Sequence, residues 1–403
     1  MKYVPIPIAM LPVGKPLPVN VWNPEGVLLL RKGQPIVSEQ HRDKLYAHNA
    51  STTESEAQAW QRSYERMVHT LLMEGVEVET IARMPMPSAI RERDYHTGEL
   101  LNGGWLDLQE VLRGILYQGG LALNPLARLA ALENKARALL KDDPDDSLFC
   151  LFQALADSSL GYCATHALLC ACICELAAQK LGLNDQHRQS IMSAALTMNI
   201  GMAREQDVLA RQNHAPTPEQ RQLIHEHPEL SLKILVWLGI EDVEELDLVR
   251  WHHLPDSPEG LPHNLTARRL LSMTDVFVAK MAARRTREAL SPLESAKSIY
   301  LQTEKDVTAS VGAALTAAIG FYPPGTYVRM AGGETAVAVQ RGLRANTPWV
   351  IPIIDRNGMP SFNYHCLDTS DPAHAIAAPI LFRGGKVAIN HERVRRARDK
   401  IRR

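Results

Sequence analysis

The sequence predicts a mainly α protein, with one long all-helical core between two small β-rich units. Three observations carry that expectation. From about Trp105 to Ile319 nearly every segment has helical pattern, in lengths of roughly three to five turns with Gly, Pro or Asn at the breaks. The first fifty residues instead carry short apolar runs between turn signals, and the same texture returns after "GFYPPG". At 403 residues the chain is also too long for one ordinary core, so at least two units are expected.

Taken in order, "VPIPIAMLPVG", "LPVNVW" and "GVLLLRKGQPIV" form a small β-rich module over 1–50. From "STTESEAQAWQRSYERMVHTLLMEG" the pattern becomes helical, with Ser/Thr caps and acidic residues in the first turn. Val76 to Gly104 is mixed, and 51–125 is read as a helical and irregular connector. The helical domain is set at 126–322. In it, "KDDPDDS" is a solvated turn and helix start, since it lacks the alternating ligand order and closing Glu of a calcium loop. The helix "NDQHRQSIMSAALTMNIG" is capped by Asn184. Residues 323–403 form a second β-rich unit, in which Asn357-Gly358 is a hairpin signal, closed by a basic tail read as a solvated helix.

A net charge of -1 supplies no global field for nucleic acid or anionic lipid. The arginine-rich tail lacks aromatic stacking residues, which argues against nucleic acid as a partner. Four of six cysteines (Cys163, Cys170, Cys172, Cys174) crowd one stretch with helical spacing, as small buried hydrophobes rather than a zinc or disulfide framework. The proline-broken start is not a signal peptide, and no uninterrupted apolar run of about 18 residues appears, so no membrane span and a cytoplasmic, reducing compartment are expected.

A lone histidine on a helix is usually a satisfied core or surface group. Here His166 lies mid-helix, His227 precedes Pro228 in "IHEHPELSLKIL", His252-His253 ends "VRWHH", and Asp275 lies in "MTDVFVAK". In order and flanking sequence, from Leu148 to Tyr322, these segments resemble the HD-GYP family, the bacterial cyclic di-GMP phosphodiesterase branch of the HD superfamily. "YCATHALLCACICELAAQKLGL" resembles its first ligand helix, "WHHLPDSPEGLP" its double-His and GYP loop, and "FYPPGTYVRMAGGETAVAVQRG" its β-rich extension. The resemblance implies an HD-type helical domain with His166, His227, His252, His253 and Asp275 as metal ligands. It also implies phosphate contacts from Arg284 and Arg287, and a substrate loop at Gly260 and Pro262.

Where the family carries a pattern like L-H-D-I-G-K, this chain reads "TMNIGM": Met198 replaces the His, Asn199 the bridging Asp and Met202 the Lys. Two-metal phosphodiester hydrolysis needs anionic charge shared by the ions. The Asn199 amide is neutral, and the Met198 thioether is a soft ligand ill matched to iron or manganese. Leu261 replaces the loop tyrosine, and Leu254 the Glu that follows the paired His.

These departures lead to a degenerate HD-GYP protein of cyclic di-GMP signalling, catalytically impaired and acting as a receptor or interaction module. Its implied partners are cyclic di-GMP and a signalling protein, and its implied cofactor is one divalent ion, iron or manganese, at reduced occupancy. The alternatives are slow hydrolysis from a single metal held by His227, His252, His253 and Asp275, and a purely structural scaffold. The sequence carries no signal for oligomeric state.

Overall fold

The computed structural model describes residues 3–73, 80, 84–90, 104–122, 124–157, 160–282, 290–291, 294–295, 306–361, 363–380 and 389–401. The chain forms two compact units, Met1–Asn102 and Gly103–Arg403.

In the first unit the Pro- and Gly-punctuated runs become β1 (Tyr3–Pro5), β2 (Val21–Trp22) and β3 (Leu28–Leu30), followed by helix α1 (Glu39–Ala47), β4 (Ser51–Thr53) and α2 (Glu54–Met73). The antiparallel sheet has the order β1-β4-β2-β3. "STT" caps the helix as expected, Thr53 Oγ1 accepting from the Glu56 amide at 3.3 Å, and it also completes this sheet. Thr52 and Thr53 do further local work, because their hydroxyls donate to buried Glu56 at 2.8 and 3.0 Å. Trp60 and Met86 join Val19, Val21 and Ile36 in the core, so residues beyond 50 build this unit too. Residues 74–79, 81–83, 91–103 and 123 of the expected connector lie outside the described residues.

The second unit opens with α3 (Trp105–Gln118), α4 (Pro125–Asp142), α5 (Pro144–Ala156), α6 (Tyr162–Lys180) and α7 (Asp185–Thr197). It continues with α8 (Ala203–Arg211), α9 (Pro218–Leu238), α10 (Val243–Trp251), α11 (Leu265–Met281) and α12 (Asp306–Ile319). Helix α6 is central. Every residue from Cys163 to Ala178 is buried, including the four cysteines, which are free thiols packed as hydrophobes. By length and composition α6 is long and apolar enough to cross a membrane, but 89% of its apolar window is buried inside the protein, as in a core helix.

Strands β5 (Tyr327–Met330), β6 (Thr335–Gln340), β7 (Trp349–Ile354), β8 (Leu367–Asp368) and β9 (Ile376–Ile380) form an antiparallel sheet of order β8-β7-β6-β5-β9, and α13 (His391–Asp399) follows. The protein is thus mainly helical with a small antiparallel sheet toward each end. Two expectations of solvated charge are corrected. Asp143 does cap α5, accepting from the Asp146 amide at 2.9 Å. The same acidic run also binds the C-terminal part of the chain: Asp143 with Arg398 at 2.8 Å, Asp145 with Arg341 at 2.6 Å and Asp146 with Arg395 at 2.7 Å. Arg398 is buried, so the basic tail is a docked helix rather than a free one.

Candidate metal centre

Helix α9 carries Pro228 in its interior. Proline has no backbone N–H, so the carbonyl four residues earlier, that of Ile224, loses its helical donor. The imidazole of His227 takes that place, its Nδ1 donating to the Ile224 oxygen at 2.8 Å. Helix α10 solves the same problem at its C-terminal end, where the last carbonyls have no helical partner. There His252 Nδ1 donates to the Val249 oxygen at 2.7 Å.

A carbonyl oxygen can only accept, so both rings carry their proton on Nδ1 and present a bare Nε2. The two Nε2 atoms face each other at 3.1 Å. Burial, reinforced by the neighbouring His253, lowers the His227 pKa to about 4 and that of His252 to about 3. Both rings are therefore neutral at pH 7, and two lone pairs point into one space. Such a pair repels unless a cation is shared, and a ring held by a backbone carbonyl on its far nitrogen is the usual state of a metal-ligating imidazole. His253 completes the set: the ligand atoms of His227, His252 and His253 lie within 4.8 Å of one another. Helix α10 stops at Trp251, and His252, its C-cap, keeps helical dihedrals.

His166 and Asp275 meet separately. On α6, His166 Nε2 lies 2.8 Å from Asp275 Oδ1 on α11, and its Nδ1 lies 2.9 Å from the Tyr162 hydroxyl. One neutral tautomer satisfies both contacts, donating from Nε2 and accepting at Nδ1, so His166 must release Asp275 before it can ligate. Cys170 Sγ is 3.5 Å from the same Nε2. Burial alone would raise the Asp275 carboxyl, but its hydrogen bond to His166 and the proximity of the His166, His252 and His253 rings hold it well below the usual carboxylate range. The His166–Asp275 pair and the three imidazoles thus share one electrostatic environment.

Met198 and Asn199 lie in the turn joining α7 to the short 3-10 segment Ile200–Met202. Ser231 fastens that turn to the His227 helix, donating to the Met198 carbonyl at 2.7 Å and accepting from the Gly201 amide at 3.0 Å. Met198, Asn199 and Met202 are all buried, and Asn199 Nδ2 has no hydrogen-bond partner among the described residues. An amide nitrogen left so is costly.

Gly260 and Pro262 sit in the loop after His253, and their surroundings are structural. A Cβ on Gly260 would come within 1.7 Å of Arg268 Nη1. That guanidinium is clamped on both Asp247 oxygens at 3.2 Å and on the Leu261 and Pro255 carbonyls. Pro262 begins the 3-10 turn Pro262–Asn264. Arg284 and Arg287 lie outside the described residues.

Sequence reasoning missed Tyr162, Cys170, Ser231 and Asp207. Asp207 Oδ1 caps α6 by accepting from the Tyr162 and Cys163 amides at 2.7 and 2.6 Å, which fixes the start of the helix that carries His166. Only the helical spacing of Tyr162, His166 and Cys170, each four apart, hinted at this grouping.

No family model matches the chain, and no curated protein does. Among solved structures it is similar to Bd1817, described as a HDG"Y"P protein from Bdellovibrio bacteriovorus. The TM-score is 0.40 and the identity 16%, over 78% of this chain and 98% of that one.

Proposed function

We propose that the protein is a catalytically impaired HD-GYP-type module of cyclic di-GMP signalling, which binds the dinucleotide or a signalling partner and keeps a reduced centre for one divalent metal. The observation that carries the reading is the buried turn Met198-Asn199, seated on the His227 helix where the resembled motif has its His-Asp pair. His227, His252 and His253 would hold the ion, and their neutral nitrogen donors suit a divalent transition metal such as iron. When bound, such an ion lowers the pKa of its water and neutralises phosphate charge. Among the described residues little else serves hydrolysis. Asn199 brings no negative charge to bridge a second ion, Met202 brings no cation, and His166 is committed to Asp275 and Tyr162.

The alternative, slow hydrolysis from a single ion, is favoured by one observation: the bare His227 and His252 nitrogens converge at 3.1 Å, where one ion could be shared.

The test is cyclic di-GMP binding and anaerobic turnover by protein loaded with Mn(II) or Fe(II), alongside His252→Ala and the double variant Met198→His/Asn199→Asp. The expected result is binding without turnover above the metal blank in the native chain, and higher metal content in the double variant. Turnover that disappears in His252→Ala would overturn the impaired reading in favour of the enzyme. Absence of dinucleotide binding would overturn the receptor role and leave the scaffold.

A further inference from the structure

We propose a second divalent-metal site, for zinc or an ion of similar chemistry, on His187, Glu244 and His263. It lies in the same unit as the His227 centre but shares no residue with it. Glu244 Oε1 is 3.6 Å from His187 Nε2 and 3.4 Å from His263 Nε2, and the three ligand atoms lie within 4.8 Å of one another. Metal–ligand bonds of 2.0–2.1 Å in a tetrahedron place neighbouring donors roughly 3.3 Å apart, so two edges of the coordination figure are already formed.

Each donor is held by a built element. His187 occupies the first turn of α7, its amide donating to the Asn184 cap at 2.8 Å. Glu244 occupies the first turn of α10, its amide donating to the Asp242 cap at 2.9 Å, and Ser190 on α7 donates to that same Asp242 at 2.6 Å. His263 lies in the 3-10 turn Pro262–Asn264, which Asn264 ties to the Glu244 carbonyl at 3.0 Å and to Asp247 at 2.9 Å.

Independent support comes from unmet polarity. His187 Nε2 and Glu244 Oε2 are shielded from solvent, and neither has a hydrogen-bond partner among the described residues. Buried polar atoms left so are costly, and a cation bound by these two side chains offsets the cost. Two imidazoles and one carboxylate are the donor set of an open zinc site, and His263, more than half exposed, leaves one side for water. Magnesium and calcium, which prefer oxygen ligands throughout, fit poorly. Because His263 and His253 belong to one loop, an ion here would pin that loop across the starts of α7 and α10.

The experiment is zinc titration of the full chain against a chromogenic chelator, repeated with Co(II) for its visible absorption. The proteins are the native chain, His227→Ala/His252→Ala, and each of these with His263→Ala added. The double variant should keep one tight equivalent whether or not the function proposed above holds. Adding His263→Ala should remove that equivalent, or weaken it about tenfold or more, with the Co(II) band lost. The proposal is overturned if His263→Ala leaves stoichiometry and affinity unchanged, or if zinc binds only at millimolar concentration. Should the double variant fail to fold, the native and His263→Ala proteins still decide the matter, because the loss of one equivalent is read between them and the His263 ring is exposed.

Discussion

At the scale of single residues, the candidate centre is organised by what the backbone lacks. Pro228 removes one N–H, His227 fills the gap, and its tautomer is thereby set. Gly201 matters in the opposite way, through the absence of a side chain. A Cβ there would stand 2.9 Å from the Ser231 amide nitrogen and 3.0 Å from the His227 carbonyl, both backbone atoms of a packed helix. Gly201→Ala therefore has to separate the Met198-Asn199 turn from α9, at a cost of about 1–3 kcal/mol. Urea denaturation should show a clearly lower midpoint for this variant. Gly104→Ala, whose added methyl meets open space, should change it far less.

At the scale of elements, α6 is the post around which the helical unit is assembled, and Glu175 near its end ties it to two neighbours. Glu175 accepts from Arg137 on α4 at 3.1 Å, and from Arg188 on α7 and Gln179 on its own helix. Burial alone would raise this carboxyl, yet the hydrogen bonds from Arg188 and Gln179 and the charges of Arg137 and Arg188 set it below its ordinary 4.5. The sign follows from linkage. A carboxyl with a lowered folded pKa stabilises the fold above about pH 4.5, and that contribution fades as the pH falls through the lower folded value. Glu175→Gln should cost about 1–3 kcal/mol at neutral pH, below the value for a fully buried pair because both arginines are about a quarter exposed. The gap between native and variant urea midpoints should narrow in acid; a gap independent of pH would count against the ion pairs as its source. The role of α6 was only partly legible in the sequence. Its apolar composition marked it as buried, but a helix buried all round has no amphipathic stripe to say which neighbours cover it.

At the scale of the whole molecule, legibility followed the range of the interaction. Caps such as Asn184 and Asp143, strand runs and the order of the histidines are local signals, and they marked the elements and the candidate ligands. Which ligands meet is a matter of tertiary packing: Asp275, grouped by motif with three histidines, hydrogen-bonds His166 across 109 residues. The charge runs were misread for the same reason, since "KDDPDDS" and the arginine tail look solvated until the chain brings them together. Their ion pairs are unequal, and that inequality is testable. Arg398 is almost wholly buried against Asp143, whereas Arg395, more than half exposed, pairs with Asp146 in contact with water. An exposed pair is worth about 0–1 kcal/mol and weakens with salt. Removing a buried partner leaves a charge with poor solvation and costs more, about 2–4 kcal/mol once the partial exposure of Asp143 is allowed for. Arg398→Met should thus destabilise the second unit and open α13 to proteolysis, with little dependence on salt. Arg395→Met should have a small effect that vanishes at about 0.5 M salt. Equal losses in the two variants would mean that α13 is held by Val394 and Ala397 packed on the sheet, with the arginines contributing only charge at the surface.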